Sequence, residues 1–290
     1  MSSISFLAWL YWDPYPQAFT IPFINRPVAW YGICFVTGFI LGYLILQPIF
    51  RQYLQGNKHY PKEKIHELTT LFTDRLTWFI VIGTIIGARL GHVLFYDLPS
   101  YLRNPVDILK IWEGGLASHG GTLGVIISLN LFLYLYRKSL PGLSFVKLLD
   151  MLVIPTALTV TFIRIGNFVN QEILGDPTSL PWGVIFGHPA DRSFPEPRHP
   201  VSLYEAASYF CIFIILYSLW KFREVKLKQG FLSGLFFVLV FGSRFFIDFL
   251  KVPQSQIIDE SFLQMGQYLS LPFILLGLYL MITPKRLQFG

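Results

Sequence analysis

Residues 28–49, VAWYGICFVTGFILGYLILQPI, run through 22 positions without one charged side chain. A helix of about 20 apolar residues matches the ~30 Å hydrocarbon core of a bilayer, so the stretch reads as a membrane crossing. Six further stretches have the same character, at about 76–96, 116–136, 149–167, 202–220, 231–250 and 264–283. Composition agrees: of 290 residues, 53% are hydrophobic and 14% charged, with a mean hydropathy of +0.51. Soluble domains carry about 25% charged residues. Cytosolic enzymes, disordered regulators and secreted disulfide scaffolds are excluded. The expected fold is an all-α polytopic membrane protein, a bundle of about seven transmembrane helices forming a single integral membrane domain over 1–290.

Orientation follows from the basic residues between the spans. Arg51, Lys58, Lys62, Lys64, Arg137, Lys138, Lys147, Lys221, Arg223, Lys226, Lys228, Lys285 and Arg286 fall at one set of helix ends. Arg26, Arg103, Lys110, Arg192, Arg198 and Lys251 fall at the other. The positive-inside rule puts the larger set in the cytoplasm, with the N-terminus outside and the C-terminus inside. Residues 1–27 lack the form of a signal peptide and carry Phe6, Trp9, Tyr11, Trp12 and Tyr15. They are expected to lie along the outer membrane–water boundary. The Pro- and Gly-rich segment 168–201, between spans four and five, becomes an outer-face (periplasmic) insertion. Cys34 and Cys211 sit inside apolar runs and read as small buried hydrophobes.

A charge at the bilayer centre costs roughly 2.5–3.5 kcal/mol, so intramembrane ionisable groups are functional candidates. Arg89, Arg164, Arg244 and Asp248 fall toward the outer ends of spans two, four and six. His119 and Glu205 open spans three and five from that side, and Tyr31 lies near the outer end of span one. Gathered at one depth, they suggest an outward-facing, anion-accepting site. Structural readings stand beside this one. Arg89 could snorkel or staple two helices, Arg244 and Asp248 could be an i,i+4 ion pair, and Arg164 could cap its helix with Asn167 and Glu172. The glycines around His119, including Gly120, permit either close helix packing or close approach of a lipid headgroup.

Other chemistries lack their residues. The sequence holds no phosphate-binding Walker loop, no HExxH metal pair and no GxSxG elbow, so no metal site and no cofactor is expected. Its basic residues do not interleave with aromatics on a soluble surface, which argues against nucleic acid.

The residues resemble those of the phosphatidylglycerol–prolipoprotein diacylglyceryl transferase family. The resemblance rests on WYG (30–32), GARLGHVLFY (87–96), WEGGLASHGG (112–121), RIGNFVNQEILGDPTSLPWGVIF (164–186), RHPVSLYE (198–205), RFFIDFLK (244–251) and MGQYLSLP (265–272). It implies functional roles for Tyr31, His119, Gly120, Arg164, Asn167, Glu172, Gly175, Arg244 and the acid at 248. Arg89 and Glu205 join them from the depth argument.

By that resemblance the protein is an enzyme of the bacterial inner membrane that moves the diacylglyceryl unit of phosphatidylglycerol onto the lipobox cysteine of a preprolipoprotein signal peptide, releasing glycerol 1-phosphate. The catalytic set would be His119, Arg164 and Arg244, with the others binding substrate. Two positions depart from the family pattern. Asp248 stands where glutamate is usual, and Val240 stands where a tyrosine is usual, one turn before Arg244. These departures leave a second reading open, a lipid-binding or lipid-moving relative without catalysis. A third, an anion transporter, would need charge in the cytoplasmic halves of the spans, where only Arg75 and Asp150 stand.

Overall fold

The computed structural model describes residues 9–23, 25–57, 59–223, 227–252 and 263–283, apart from the side chains of Glu113 and Arg223. Phe6 of the interfacial segment, and the basic residues Lys58, Lys226, Lys285 and Arg286, lie outside the described residues. Among the described residues eight α-helices follow one another: α1 (Trp30–Gln55), α2 (Ile65–Phe95), α3 (Leu98–Arg103), α4 (Ser118–Tyr136), α5 (Phe145–Val169), α6 (Val201–Arg223), α7 (Phe231–Ile247) and α8 (Met265–Ile282). All but the six-residue α3 are long and apolar enough to cross a membrane, and each covers one expected span. Apolar side chains such as Ile40, Ile86, Ile127 and Leu275 are exposed along them, the surface that lipid solvates.

The second span is longer than expected, beginning at Ile65 and not near 76. Its first turns are polar, and their hydroxyls bond within the helix. Thr69 Oγ donates to the Ile65 carbonyl at 2.7 Å and Thr77 Oγ to that of Thr73 at 2.8 Å. The apolar run marks only the part of the helix suited to hydrocarbon.

The chain divides into two compact units, one of Met1–Ile45 and Leu149–Arg286, the other of Leu46–Leu148 and Leu287–Gly290. In the first, α7 and α8 approach through Gly234 and Gly277, where a methyl on either would meet the other helix's backbone. Helix α1 meets α5 at Gly38 and Gly42, and Thr159 Oγ donates to the Gly38 carbonyl at 3.0 Å. Two small sheets lie in the segments expected to be interfacial. Strand β1 (Leu10–Trp12) runs parallel to β4 (Val184–Phe186), which pairs antiparallel with β5 (Pro197–Arg198). Strands β2 (Gln17–Ile21) and β3 (Arg26–Ala29) form a hairpin. Phe168, Leu174, Val184 and Phe186 make a buried cluster under the three-stranded sheet. Trp12 stacks on Phe168 at 4.7 Å and donates its indole N–H to the Phe168 carbonyl.

In the second unit, Phe50, Leu54, Phe72, Leu76, Leu129 and Phe132 form a core between the end of α1 and helices α2 and α4. Gly83, Gly87 and Gly91 on α2 face Gly120 and Gly124 on α4. Glycine at this spacing lets two backbones approach where any Cβ would hold them apart.

Candidate functional site

Helix α5 ends at Val169, and the chain turns back through Gln171 and Ile173, both left-handed at φ 54° and 57°. Such a conformation in non-glycine residues costs on the order of 1–3 kcal/mol each, so it persists only where neighbours fix it. Here Gln171 donates its side-chain amide to Asp13 Oδ1 at 3.0 Å and accepts from the His188 backbone N–H at 2.7 Å. Ser202 Oγ donates to the Glu172 carbonyl at 3.0 Å. The turn folds Glu172 over the helix end, where Asn167 Nδ2 donates to Oε2 at 2.9 Å and Asn170 Nδ2 to Oε1 at 3.2 Å. Asn167 Oδ1 in turn accepts from the Arg164 guanidinium at 3.2 Å.

From Arg164 a chain of alternating charges crosses the unit. Arg164 Nε lies 2.9 Å from Glu205 Oε2 on α6, off the line of its N–H, so that oxygen is ion-paired without a hydrogen bond. Glu205 Oε1 accepts from Lys251 Nζ at 2.8 Å, and the same ammonium donates to Asp248 Oδ1 at 2.6 Å. Asp248 Oδ2 faces Arg244 Nε at 3.6 Å, a charge contact longer than a hydrogen bond. Glu205, Asp248 and Lys251 are buried, while the Arg244 side chain keeps 35% exposure. Three cations and two carboxylates leave this chain one positive charge in excess, with an arginine at each end.

Two glycines let the pieces close up. Gly175 pairs with Lys251 as an isolated β-bridge, and a methyl there would collide with the His199 backbone and Val201. Gly266, in the first turn of α8, brings that helix against Asp248 and Arg244, where a Cβ would strike the carboxylate. Gln264 donates to the Lys251 carbonyl at 3.0 Å and Gln267 to that of Phe245, also at 3.0 Å, so the start of α8 holds the end of α7. Tyr31 lies beside Gly166 and within electrostatic range of Arg164 and Glu172.

The first unit thus brings together Tyr31, Arg164, Asn167, Glu172, Gly175, Glu205, Arg244 and Asp248. It adds three residues that sequence reasoning passed over. Lys251 was grouped with the outer loop charges, although its place three residues after Asp248, one helical turn, is the signal for a shared face. Tyr209 stands four residues after Glu205 on the same buried face of α6. Asn170 completes the pair of amides on Glu172. Asp248 keeps the i,i+4 ion pair with Arg244 at 3.6 Å and adds a closer one to Lys251 at 2.6 Å.

The second unit holds Arg89, His119 and Gly120. All five N–H donors of Arg89 go to backbone carbonyls: Nε to Ile108 at 2.9 Å, one terminal nitrogen to Gly114 and Gly115, the other to Asp107 and Lys110. The guanidinium is buried, covers the Tyr101 ring at 5.0 Å, and shapes the loop before α4. With no donor left over, it stands as the anchor of that loop rather than as a free anion clamp. Gly120 is buried against the backbone of Gly87 and Gly91, so packing takes the place that a headgroup would need. His119 is exposed in the first turn of α4, beside the rings of Phe95 and Tyr96 at 5.5 and 5.8 Å.

Known proteins resemble this chain over nearly its whole length. Residues 16–283 match the family described as prolipoprotein diacylglyceryl transferase. A phosphatidylglycerol–prolipoprotein diacylglyceryl transferase of Tolumonas auensis is 48% identical, covering 96% of this chain and 98% of the relative. Proteins of the same name from Protochlamydia amoebophila (97% and 96% covered) and Porphyromonas gingivalis (96% of each) are 40% and 39% identical. Seven apolar spans among the described residues and a match of that extent make this a multi-pass membrane protein, and the chain belongs to the prolipoprotein diacylglyceryl transferase family.

Proposed function

We propose that the charged chain of the first unit binds the phosphate of phosphatidylglycerol between Arg164 and Arg244 while the diacylglyceryl unit passes to a cysteine thiol of a preprolipoprotein. The family supplies the reaction, and the substrates are those in its members' names. One observation carries the placement of the phosphate: five linked charges with an excess of one positive, terminated at both ends by arginine. A phosphodiester carries the single negative charge that balances it.

In the transfer, a thiolate sulfur attacks the glyceryl carbon, a C–S bond forms, and the C–O bond to phosphate breaks. The electron pair leaves on the phosphate oxygen, giving glycerol 1-phosphate. Guanidinium groups in a site poor in water stabilise the charge that grows there. The thiol, ordinarily near pKa 8.5, must first lose its proton. His119 is assigned as the acceptor, and the N-terminal end of α4 beside it favours an anion. Tyr31, Asn167 and Glu172 orient the glycerol headgroup, and Gly175 and Glu205 hold the frame around it. Arg89 and Gly120 shape the loop and helix that present His119. The distribution of Lys and Arg supports an inner-membrane orientation with the N-terminus and this chemistry on the outer side.

The test is the bond broken. Phosphatidylglycerol labelled in its headgroup is expected to release labelled glycerol 1-phosphate only when a lipobox thiol peptide is present. Release of free glycerol, or thiol-independent release, would count against the reading.

A further inference from the structure

Glu172 stands between two residues in the left-handed region, Gln171 at φ 54° and Ile173 at φ 57°. Neither is glycine, so the turn that aims the Glu172 carboxylate persists only while outside contacts hold it. Those contacts gather on Gln171, which is 2% exposed. Its backbone N–H donates to the Phe168 carbonyl at 3.1 Å, and its own carbonyl accepts from the Ala190 N–H at 3.0 Å. Its side-chain oxygen accepts from the His188 N–H at 2.7 Å, and its side-chain amide donates to Asp13 Oδ1 at 3.0 Å.

Three of these four partners belong to the end of α5 or to the insertion that follows it. Asp13 comes from the segment before α1, 158 positions away. That segment is seated on the same helix end: Trp12 stacks on Phe168, and the Trp12 carbonyl accepts from the Gly187 N–H at 3.0 Å. Asp13 Oδ1 also lies 2.7 Å from His188 Nδ1. One carboxylate oxygen therefore gathers both arms of the turn, and charge-assisted hydrogen bonds are roughly twice as strong as neutral ones. Gly187 leaves the room for this, because a Cβ there would strike the Asp13 carboxyl. Glu172, by contrast, takes one amide on each oxygen, from Asn167 and Asn170. An ionised carboxylate offers about four lone-pair sites, so it keeps acceptor capacity for a hydroxyl.

We propose that Asp13 is a positioning residue for lipid-headgroup selection: through Gln171 it fixes the turn that aims the Glu172 carboxylate at the hydroxyls of the glycerol headgroup. The proposal rests on the reading that Glu172 orients that headgroup, and deepens it. Asp13 itself touches no lipid. Its loss costs the hydroxyl contact and leaves the phosphate contact of Arg164 and Arg244 in place.

The test titrates the full chain, purified in detergent, with phosphatidylglycerol and with phosphatidylmethanol. Both are singly charged phosphodiesters, but the methyl headgroup carries no hydroxyl. Their affinity ratio reads the headgroup contact and cancels a general loss of fold. Asp13→Ala is expected to lower the ratio about threefold or more, the range of one hydrogen bond, with phosphatidylmethanol affinity nearly unchanged. Glu172→Gln is expected to lower it at least as far, and the double variant no further than Glu172→Gln alone, because Asp13 acts through Glu172. A ratio that Asp13→Ala leaves unchanged, or additive losses in the double variant, overturns the proposal while the Glu172 reading stands. A ratio that Glu172→Gln leaves unchanged removes that reading and the proposal with it. If Asp13→Ala binds neither lipid, Asp13→Asn, which keeps the shape and one acceptor oxygen, gives the same comparison with a smaller fall expected. An unchanged ratio in Asp13→Asn, or loss of both lipids there too, makes Asp13 an anchor of the fold only and overturns the proposal.

Discussion

Lys251 Nζ sits 2.6 Å from Asp248 Oδ1, whereas Arg244 Nε stands 3.6 Å from the other oxygen of the same carboxylate. The acid at 248 therefore belongs first to the lysine. Lys251 also holds Glu205 at 2.8 Å, so one buried ammonium bridges two buried carboxylates. Arg244, only loosely engaged, keeps its donors for an incoming anion.

Removing that ammonium should be costly. Lys251→Met leaves Glu205 with Arg164 alone and Asp248 with a distant arginine, and breaking a buried pair costs about 3–5 kcal/mol. A large fall in the thermal midpoint of the purified protein is expected, with Lys251→Arg retaining most of the stability. An unchanged midpoint for Lys251→Met would show that the carboxylates do not depend on it.

Asp248→Glu restores the reach of the longer acid. The added methylene lets the carboxylate approach Arg244 within hydrogen-bond range while Lys251 remains beside it. Transfer within about threefold of the unsubstituted chain is expected, with one isolated buried charge never created. Asp248→Asn removes the charge and should cost about tenfold or more, in line with a charge-assisted hydrogen bond. Initial rates on a thiol peptide distinguish the two.

The α2–α4 seam tolerates no side chain at its centre. A methyl at Gly87 would meet the Gly120 carbonyl, and one at Gly124 would meet that of Gly83. Gly87→Val is expected to lower stability by about 1–3 kcal/mol through overpacking, read as a drop in the thermal midpoint. Gly142, which has open space around it at φ 82°, gives the contrasting case: Gly142→Asn, a residue that visits the left-handed region, should be nearly neutral.

Outside the membrane spans, Asp13 ties the N-terminal segment to the turn that carries Glu172. Its carboxyl is held below the ordinary value of 3.8 by the hydrogen bond with His188, then by that with Gln171. A depressed acid stabilises the fold fully above its unfolded value, and that contribution disappears as pH falls through the folded value. The protection factor of the His188 amide, which donates to Gln171, should therefore hold at neutral pH and fall only below about pH 4. Asp13→Asn should exchange faster already at neutral pH and lose the acid-dependent step.

Much of this was legible in the chain itself, for reasons that particular residues make plain. Apolar runs set the spans because hydrocarbon imposes a minimum length, and 28–49 became Trp30–Gln55 with little change. Arg164, Asn167 and Glu172 could be grouped because one helix end and one turn hold them. The pairing of Leu10–Trp12 with Val184–Phe186 could not be read, since three-residue strands so far apart carry no signal of their partner. Arg89 looked like a membrane charge in search of an anion, whereas loop closure supplies five carbonyls that no local pattern announces. Tyr209 was one aromatic among many in an aromatic-rich span, and only its burial one turn after Glu205 singles it out.

The most direct test incubates the purified chain with phosphatidylglycerol and a lipobox peptide, then weighs the peptide. A mass gain of one diacylglyceryl unit on the cysteine is expected. The gain should fall by at least about a hundredfold in rate for Arg164→Ala and for Arg244→Ala, with both variants still inserted in the membrane. Full-rate modification by either arginine variant would contradict the account.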